Sequence, residues 1–131
     1  MSLLGRLTER GRTMFDKIAE VSLLYDFYGE LLTSRQREVM QLYHEENLSL
    51  SEIASEFSIS RQGVHDALKN AEKSLYEYEN KLGLVEKFEK THAAVMEIDH
   101  KLEELIQEHE KNPELVGKLN NIKSVIDQID E

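Results

Sequence analysis

Apolar residues recur along this chain at steps of three and four, the spacing of one face of an α-helix. From Phe15 they run Phe15, Ile18, Val21, Leu24 or Tyr25, Tyr28 and Leu31. That predicts a first helix, whose end Gly29 weakens. Thr33 followed by Gln36 has the form of a capping box, in which each side chain satisfies a free backbone N–H of the other. It predicts a second helix with Val39, Met40, Leu42 and Tyr43 inward and Asn47 as its stop. Ser49 with Glu52 repeats the box ahead of a short third helix with Ile53, Ala54 and Phe57 inward. Ser58-Ile59-Ser60 makes a turn, and Ser60 caps a fourth helix.

The fourth helix is long. Val64, Leu68, Ala71, Leu75, Tyr78, Leu82 and Val85 alternate four and three apart, a heptad seam that needs a partner helix to cover it. Gly83 breaks or weakens this seam. It resumes as Leu84, Phe88, Val95, Ile98, Leu102 and Leu105, with poor slots near Thr91. Asn112-Pro113 marks a new start, a capping side chain with proline in the first turn. Leu115, Leu119, Ile122, Ile126 and Ile129 then form a last seam. Two seams joined by a short connection near residues 109–112 predict an antiparallel hairpin. Ile106, Val116 and Val125 are left as a surplus apolar edge for the body or for a second chain. No strand pattern, internal repeat or low-complexity segment interrupts this reading.

The predicted fold is therefore all-α: a helix-turn-helix bundle with long C-terminal helices forming a helical hairpin. Residues 1–14 form a flexible N-terminal segment, 15–83 the helix-turn-helix domain and 84–131 the hairpin. In the first segment Arg6, Arg10 and Arg12 stand among Gly5, Gly11 and Thr13 without a firm apolar pattern, and Met14 offers an alternative start.

Composition narrows the function. The 131 residues suit one domain with an extension. There is no cysteine, which removes disulfides, thiolate metal sites and a cysteine nucleophile together. No apolar run approaches the roughly 20 residues that span a bilayer, and the opening residues lack the form of a signal peptide. A cytoplasmic location is expected. The net charge is −10, and it is unevenly spread. Residues 1–90 carry 12 Lys/Arg against 16 Asp/Glu, while residues 91–131 carry 4 against 10. The acidic C-terminal part repels DNA and suits either solubility or a protein partner.

The segment from Leu50 to Val64 carries the strongest motif. A helix-turn-helix needs a small residue where its helices cross, which Ala54 supplies. It needs a tight turn four residues later, where Ser58 stands in place of the commoner glycine. Ile59 and Val64 fit the apolar positions that lock the second helix. On that helix Arg61, Gln62, His65, Lys69 and Lys73 are the outward candidates for nucleic-acid or partner binding, with Asp66 opposing phosphate. Residues 33–82 hold six Lys/Arg and nine Asp/Glu, a balance of −3. Most DNA readers are positive there, because phosphate neutralisation supplies most of the affinity. The alternative reading of the motif is two packed helices that touch no nucleic acid.

Other constellations lead to structure rather than chemistry. His44, His65, His92, His100 and His109 show no His-Glu-x-x-His spacing. His92, Asp99 and His100 read as solvated helix residues rather than metal ligands. Ser49 is explained by capping, no glycine-rich phosphate loop is present, and Tyr25, Phe27 and Tyr28 read as core and interface. No catalytic residue, cofactor or metal is expected.

Leu32 to Tyr43, then Ser51 to Ala54, then Ile59 to Val64 resembles the C-terminal helix-turn-helix region of bacterial sigma factors. Leu24-Tyr-Asp-Phe-Tyr28 before it, and Tyr76-Glu-Tyr-Glu-Asn-Lys-Leu-Gly83 with Lys87-Phe88 after it, resemble the YlxM family over roughly residues 20 to 125. The second resemblance implies a helix-turn-helix regulator. It also implies a link to the signal recognition particle pathway, because genes of that family tend to lie beside those of its GTPase and receptor. Where sigma factors often carry a base-reading arginine soon after the helix cap, this chain has Gly63, which counts against promoter reading. The leading expectation is a non-enzymatic regulatory or adaptor protein, a homodimer, with protein components of that pathway as partners and DNA bound weakly. The rivals are a DNA-binding transcriptional regulator and a purely structural coiled-coil partner.

Overall fold

The structure, a computed structural model, describes residues 14–129, with side chains from Asp16 onward. The expected N-terminal segment, save Met14, lies outside the described residues. Among the described residues there are six α-helices and no strand: α1 (Met14–Tyr28), α2 (Ser34–His44), α3 (Leu50–Phe57), α4 (Arg61–Leu82), α5 (Leu84–Glu108) and α6 (Pro113–Ile129). A 3-10 turn, Gly29–Leu31, follows α1. The chain divides into two compact units, the first ending at Glu86 and the second opening at Lys87.

Each start signal forms the cap that its side chains dictate. Thr33 and Gln36 exchange side-chain and backbone bonds ahead of α2 (3.1 and 3.2 Å), as do Ser49 and Glu52 ahead of α3 (3.2 and 3.1 Å). Gly63 N–H donates to Ser60 Oγ (2.9 Å) at the start of α4, and Leu115 N–H donates to Asn112 Oδ1 (3.2 Å) at the start of α6. Each cap satisfies a backbone donor with no partner inside its helix.

The first unit is built around α4, which contacts α1, α2 and α3. Its core joins Val21, Leu24 and Tyr28 of α1 with Val39 and Met40 of α2, Ile53 and Ala54 of α3, and Val64, Leu68, Ala71 and Leu75 of α4. Val85, at the start of α5, completes it. Arg35 of α2 lies over the Phe57 ring of α3, 4.4 Å from its centroid, covering an apolar face that would otherwise meet water.

Several residues expected inward face solvent, each for a local reason. Leu31 is exposed because the 3-10 turn changes the helical phase after Tyr28. Ile18 and Tyr43 are exposed because they line a cavity between α1 and α2. Ile59 lies in the turn and is exposed too. On α4 the buried row continues from Leu75 to Glu79, not to Tyr78 and Leu82. Glu79 is 6% exposed, Tyr78 is half-buried with its hydroxyl donating to the Leu31 carbonyl (3.1 Å), and Leu82 is exposed. Gly83 then ends the helix at φ 63°, a left-handed conformation that favours glycine.

In the second unit α5 and α6 form a hairpin across a turn closed by Asn112 N–H to the His109 carbonyl (2.8 Å). Val95, Leu102, Leu119 and Ile126 are its buried residues, with Ile106 and Leu115 against them. Lys123 of α6 reaches Asp99 (3.2 Å) and Glu103 (3.0 Å) of α5. Those two carboxylates hold the Lys123 ammonium, pushing its pKa up. Phe88, Ile98, Leu105, Ile122 and Ile129, expected on the seams, are exposed. Two helices bury only one narrow strip of each other, so residues to either side of the strip stay in water.

Candidate nucleic-acid or partner-binding interface

The helix-turn-helix comprises α3, the turn and α4. Ser58 adopts the left-handed conformation (φ 55°, ψ 44°) and its N–H bonds back to the Ala54 carbonyl, as does that of Ile59 (3.0 Å). These bonds end α3 and reverse the chain at the small residue, and Val64 then locks α4 into the core with no exposure.

All five candidate residues, Arg61, Gln62, His65, Lys69 and Lys73, are exposed. Arg61, His65, Lys69 and Lys73 stand four apart and so follow one another along the outer side of α4. Asp66 interrupts them: it accepts a hydrogen bond from the Gln62 amide (2.9 Å), and its carboxylate lies 3.7 Å from His65 Nδ1. The Gln62 amide, which could otherwise read a base edge, is thus engaged by an acid of its own helix. Glu72, by contrast, leaves the outer face to pair with Lys17 of α1 (3.7 Å).

A Cβ at Gly63 would stand 3.2 Å from Ser60 Oγ, but Gln36 and Glu52 hold the same position behind Thr33 and Ser49 and close the same cap with a Cβ present, so the cap does not explain the glycine.

Two features escaped the apolar pattern because polar residues carry them. The first is Glu79. Its Oε1 accepts from the Tyr28 hydroxyl and from Val85 N–H (3.0 Å), and its Oε2 from Glu86 N–H (3.1 Å). The Tyr28 oxygen also accepts from Leu84 N–H (3.0 Å). One buried carboxylate and one phenol thus cap the start of α5. Burial first, and then the bond to Glu79, push the Tyr28 phenol above its ordinary pKa, so it stays a donor. The only sequence sign was the four-residue step Ala71, Leu75, Glu79, Gly83.

The second is a cavity of about 480 Å³ lined by residues including Ile18, Val21, Tyr43, His44, Leu48 and the Lys17–Glu72 pair. Among the described residues, His44 Nε2 is buried without a hydrogen-bond partner. Burial lowers the His44 pKa, and Glu72 opposes that more weakly. The unfolded chain therefore takes up this proton more readily than the folded one. The neutral ring's contribution is complete above about pH 6.5 and is lost as the pH falls through the lower folded value. The melting temperature is expected to fall between pH 7.5 and 5.5, and less so in His44→Gln. An equal fall in both proteins would exclude His44 as the cause.

No group of three or more His, Asp or Glu among the described residues is placed to hold a metal ion. No described helix is long and apolar enough to cross a membrane.

The family model described as "Putative helix-turn-helix protein, YlxM / p13 like" (UPF0122) matches residues 15–113. A UPF0122 protein of Thermoanaerobacter sp. (strain X514) is 43% identical over 119 residues, spanning 88% of this chain and 98% of that protein. One from Halalkalibacterium halodurans is 42% identical over 112 residues, 86% of this chain and 99% of its own length. One from Bacillus thuringiensis (strain Al Hakam) is 41% identical over 117 residues, 89% and 100% of the two chains.

Proposed function

Because this chain belongs to the UPF0122 family of YlxM/p13-like helix-turn-helix proteins, we propose that it is a cytoplasmic, non-enzymatic regulatory or adaptor protein whose helix-turn-helix contacts protein. Its field of action in this reading is the signal recognition particle pathway. The observation that carries the preference for protein is the Gln62–Asp66 bond on the outer side of α4. It occupies a base-reading amide and sets a carboxylate where phosphate would pass. The balance of −3 over residues 33–82 acts in the same direction.

A second reading, a DNA-binding transcriptional regulator, is favoured by the row Arg61, His65, Lys69 and Lys73 and by the departure of Glu72 from that side. Three permanent positive charges against Asp66 support weak phosphate contact.

The proposal is tested by capture from a nuclease-treated lysate, followed by titration of the captured proteins in purified form. Retention of the particle's GTPase or receptor, weakened by Arg61→Glu, is the expected result. Capture that disappears with nuclease, together with no binding to either purified protein, would sink the reading.

A further inference from the structure

The hairpin of α5 and α6 is too thin to bury its own apolar surface. Its interior rests on Val95, Leu102, Leu119 and Ile126, each still 8 or 9% exposed, whereas Leu24, Ile53, Val64 and Leu75 of the first unit are fully sealed. Units of this size ordinarily need a further layer or an oligomer to be stable.

Of the seven large apolar side chains exposed among the described residues of this unit, Phe88 and Met96 stand apart and the other five mark where that layer belongs. Ile98 and Leu105 of α5 are 47% and 40% exposed, and Ile122, Val125 and Ile129 of α6 are 48%, 57% and 61% exposed. At about 100° per residue, Ile98 and Leu105 fall to one side of the buried Val95–Leu102 line, and Asp99 and Glu103 to the other. On α6 the three apolar residues fall to one side of the Leu119–Ile126 line and Lys123 to the other. The ion pairs from Lys123 to Asp99 and Glu103 join the two charged edges. The five apolar residues therefore share the opposite edge as one stripe. They leave on the order of 400 Å² in solvent, comparable with the apolar share of a standard interface of about 800 Å² per partner.

We propose that this stripe is the contact surface of a homodimer, in which a second copy lays the same stripe upon it and the two hairpins close a four-helix bundle. A two-fold axis makes such a surface self-complementary, and four helices give each its missing neighbour. The bordering Lys101 and Lys118 pair within their own helices with Glu97 and Glu114 (3.8 and 3.7 Å). The rim therefore calls for no oppositely charged partner. The inference is independent of what α4 contacts.

Sedimentation equilibrium of the full chain at micromolar concentration is expected to give twice the 15.2 kDa chain mass. Ile98→Lys combined with Ile122→Lys is expected to return it to 15.2 kDa. The chain has no cysteine, so a probe that leaves the stripe apolar decides the matter even if the lysines unfold the hairpin. Val125→Cys treated with a short bis-maleimide is expected to join copy to copy, and Gln107→Cys, exposed on the other edge, is not. A wild-type chain at monomer mass would overturn the proposal, with the stripe covered by its own chain or by a different protein. A dimer without crosslinking through position 125 would overturn it equally.

Discussion

Replacing Glu79 by alanine is expected to destabilise the first unit by about 3–5 kcal/mol, because three donors lose their acceptor at about 1–3 kcal/mol each. The carboxylate is 6% exposed and serves the Tyr28 hydroxyl and the N–H groups of Val85 and Glu86. Gly83, turned to φ 63°, brings these first N–H groups of α5 back onto the helix that precedes them. Such N–H groups have no partner inside their own helix, and the partial positive charge there favours an anion. Alanine leaves buried donors without acceptors, each costing about 1–3 kcal/mol. Thermal unfolding should move down by on the order of 15 °C. Glu79→Gln retains one acceptor oxygen and should recover part of the loss. A change below 1 kcal/mol on urea denaturation would show that water replaces the carboxylate.

Ala54→Leu is expected to cost about 1–3 kcal/mol or more by overpacking. Ala54 is 9% exposed, belongs to the core, and its carbonyl accepts the N–H groups of Ser58 and Ile59 that end α3. Three added carbons must displace either α4 or the turn. The urea midpoint should fall while the denaturant slope stays the same. An unchanged midpoint would mean that the two helices do not cross closely at this residue.

What the chain disclosed in advance was local. The caps at Thr33, Ser49, Ser60 and Asn112 depend on residues at most three positions apart, and all four form as their spacing dictates. Ala54, expected inward as the small residue of the motif, does lie in the core. What stayed hidden depends on how many layers surround a helix. Leu82, Ile98 and Ile122 fit a heptad as well as Leu75 or Leu102 do, yet they lie in solvent because no described element covers them. Glu79 was passed over because a carboxylate breaks an apolar pattern, and only its neighbours in space make its burial favourable. His44 escaped notice likewise, since its burial follows from the approach of α1 to α2. Of the candidate face, the exposure of Arg61, Gln62, His65, Lys69 and Lys73 was legible. The bond between Gln62 and Asp66 and the inward turn of Glu72 were not, because four-residue spacing permits such pairs without requiring them.

The claim that α4 meets protein rather than reading DNA is tested most directly by fluorescence anisotropy. Random and genomic DNA would be titrated with the full chain at about 150 mM salt and at lower concentrations. Arg61, Lys69 and Lys73 supply three positive charges, so the logarithmic salt slope should be about −3, with affinity largely gone at physiological salt. Binding should be indifferent to sequence. Nanomolar affinity for one sequence at about 150 mM salt, lost on Arg61→Ala, would contradict the account and make the chain a transcriptional regulator.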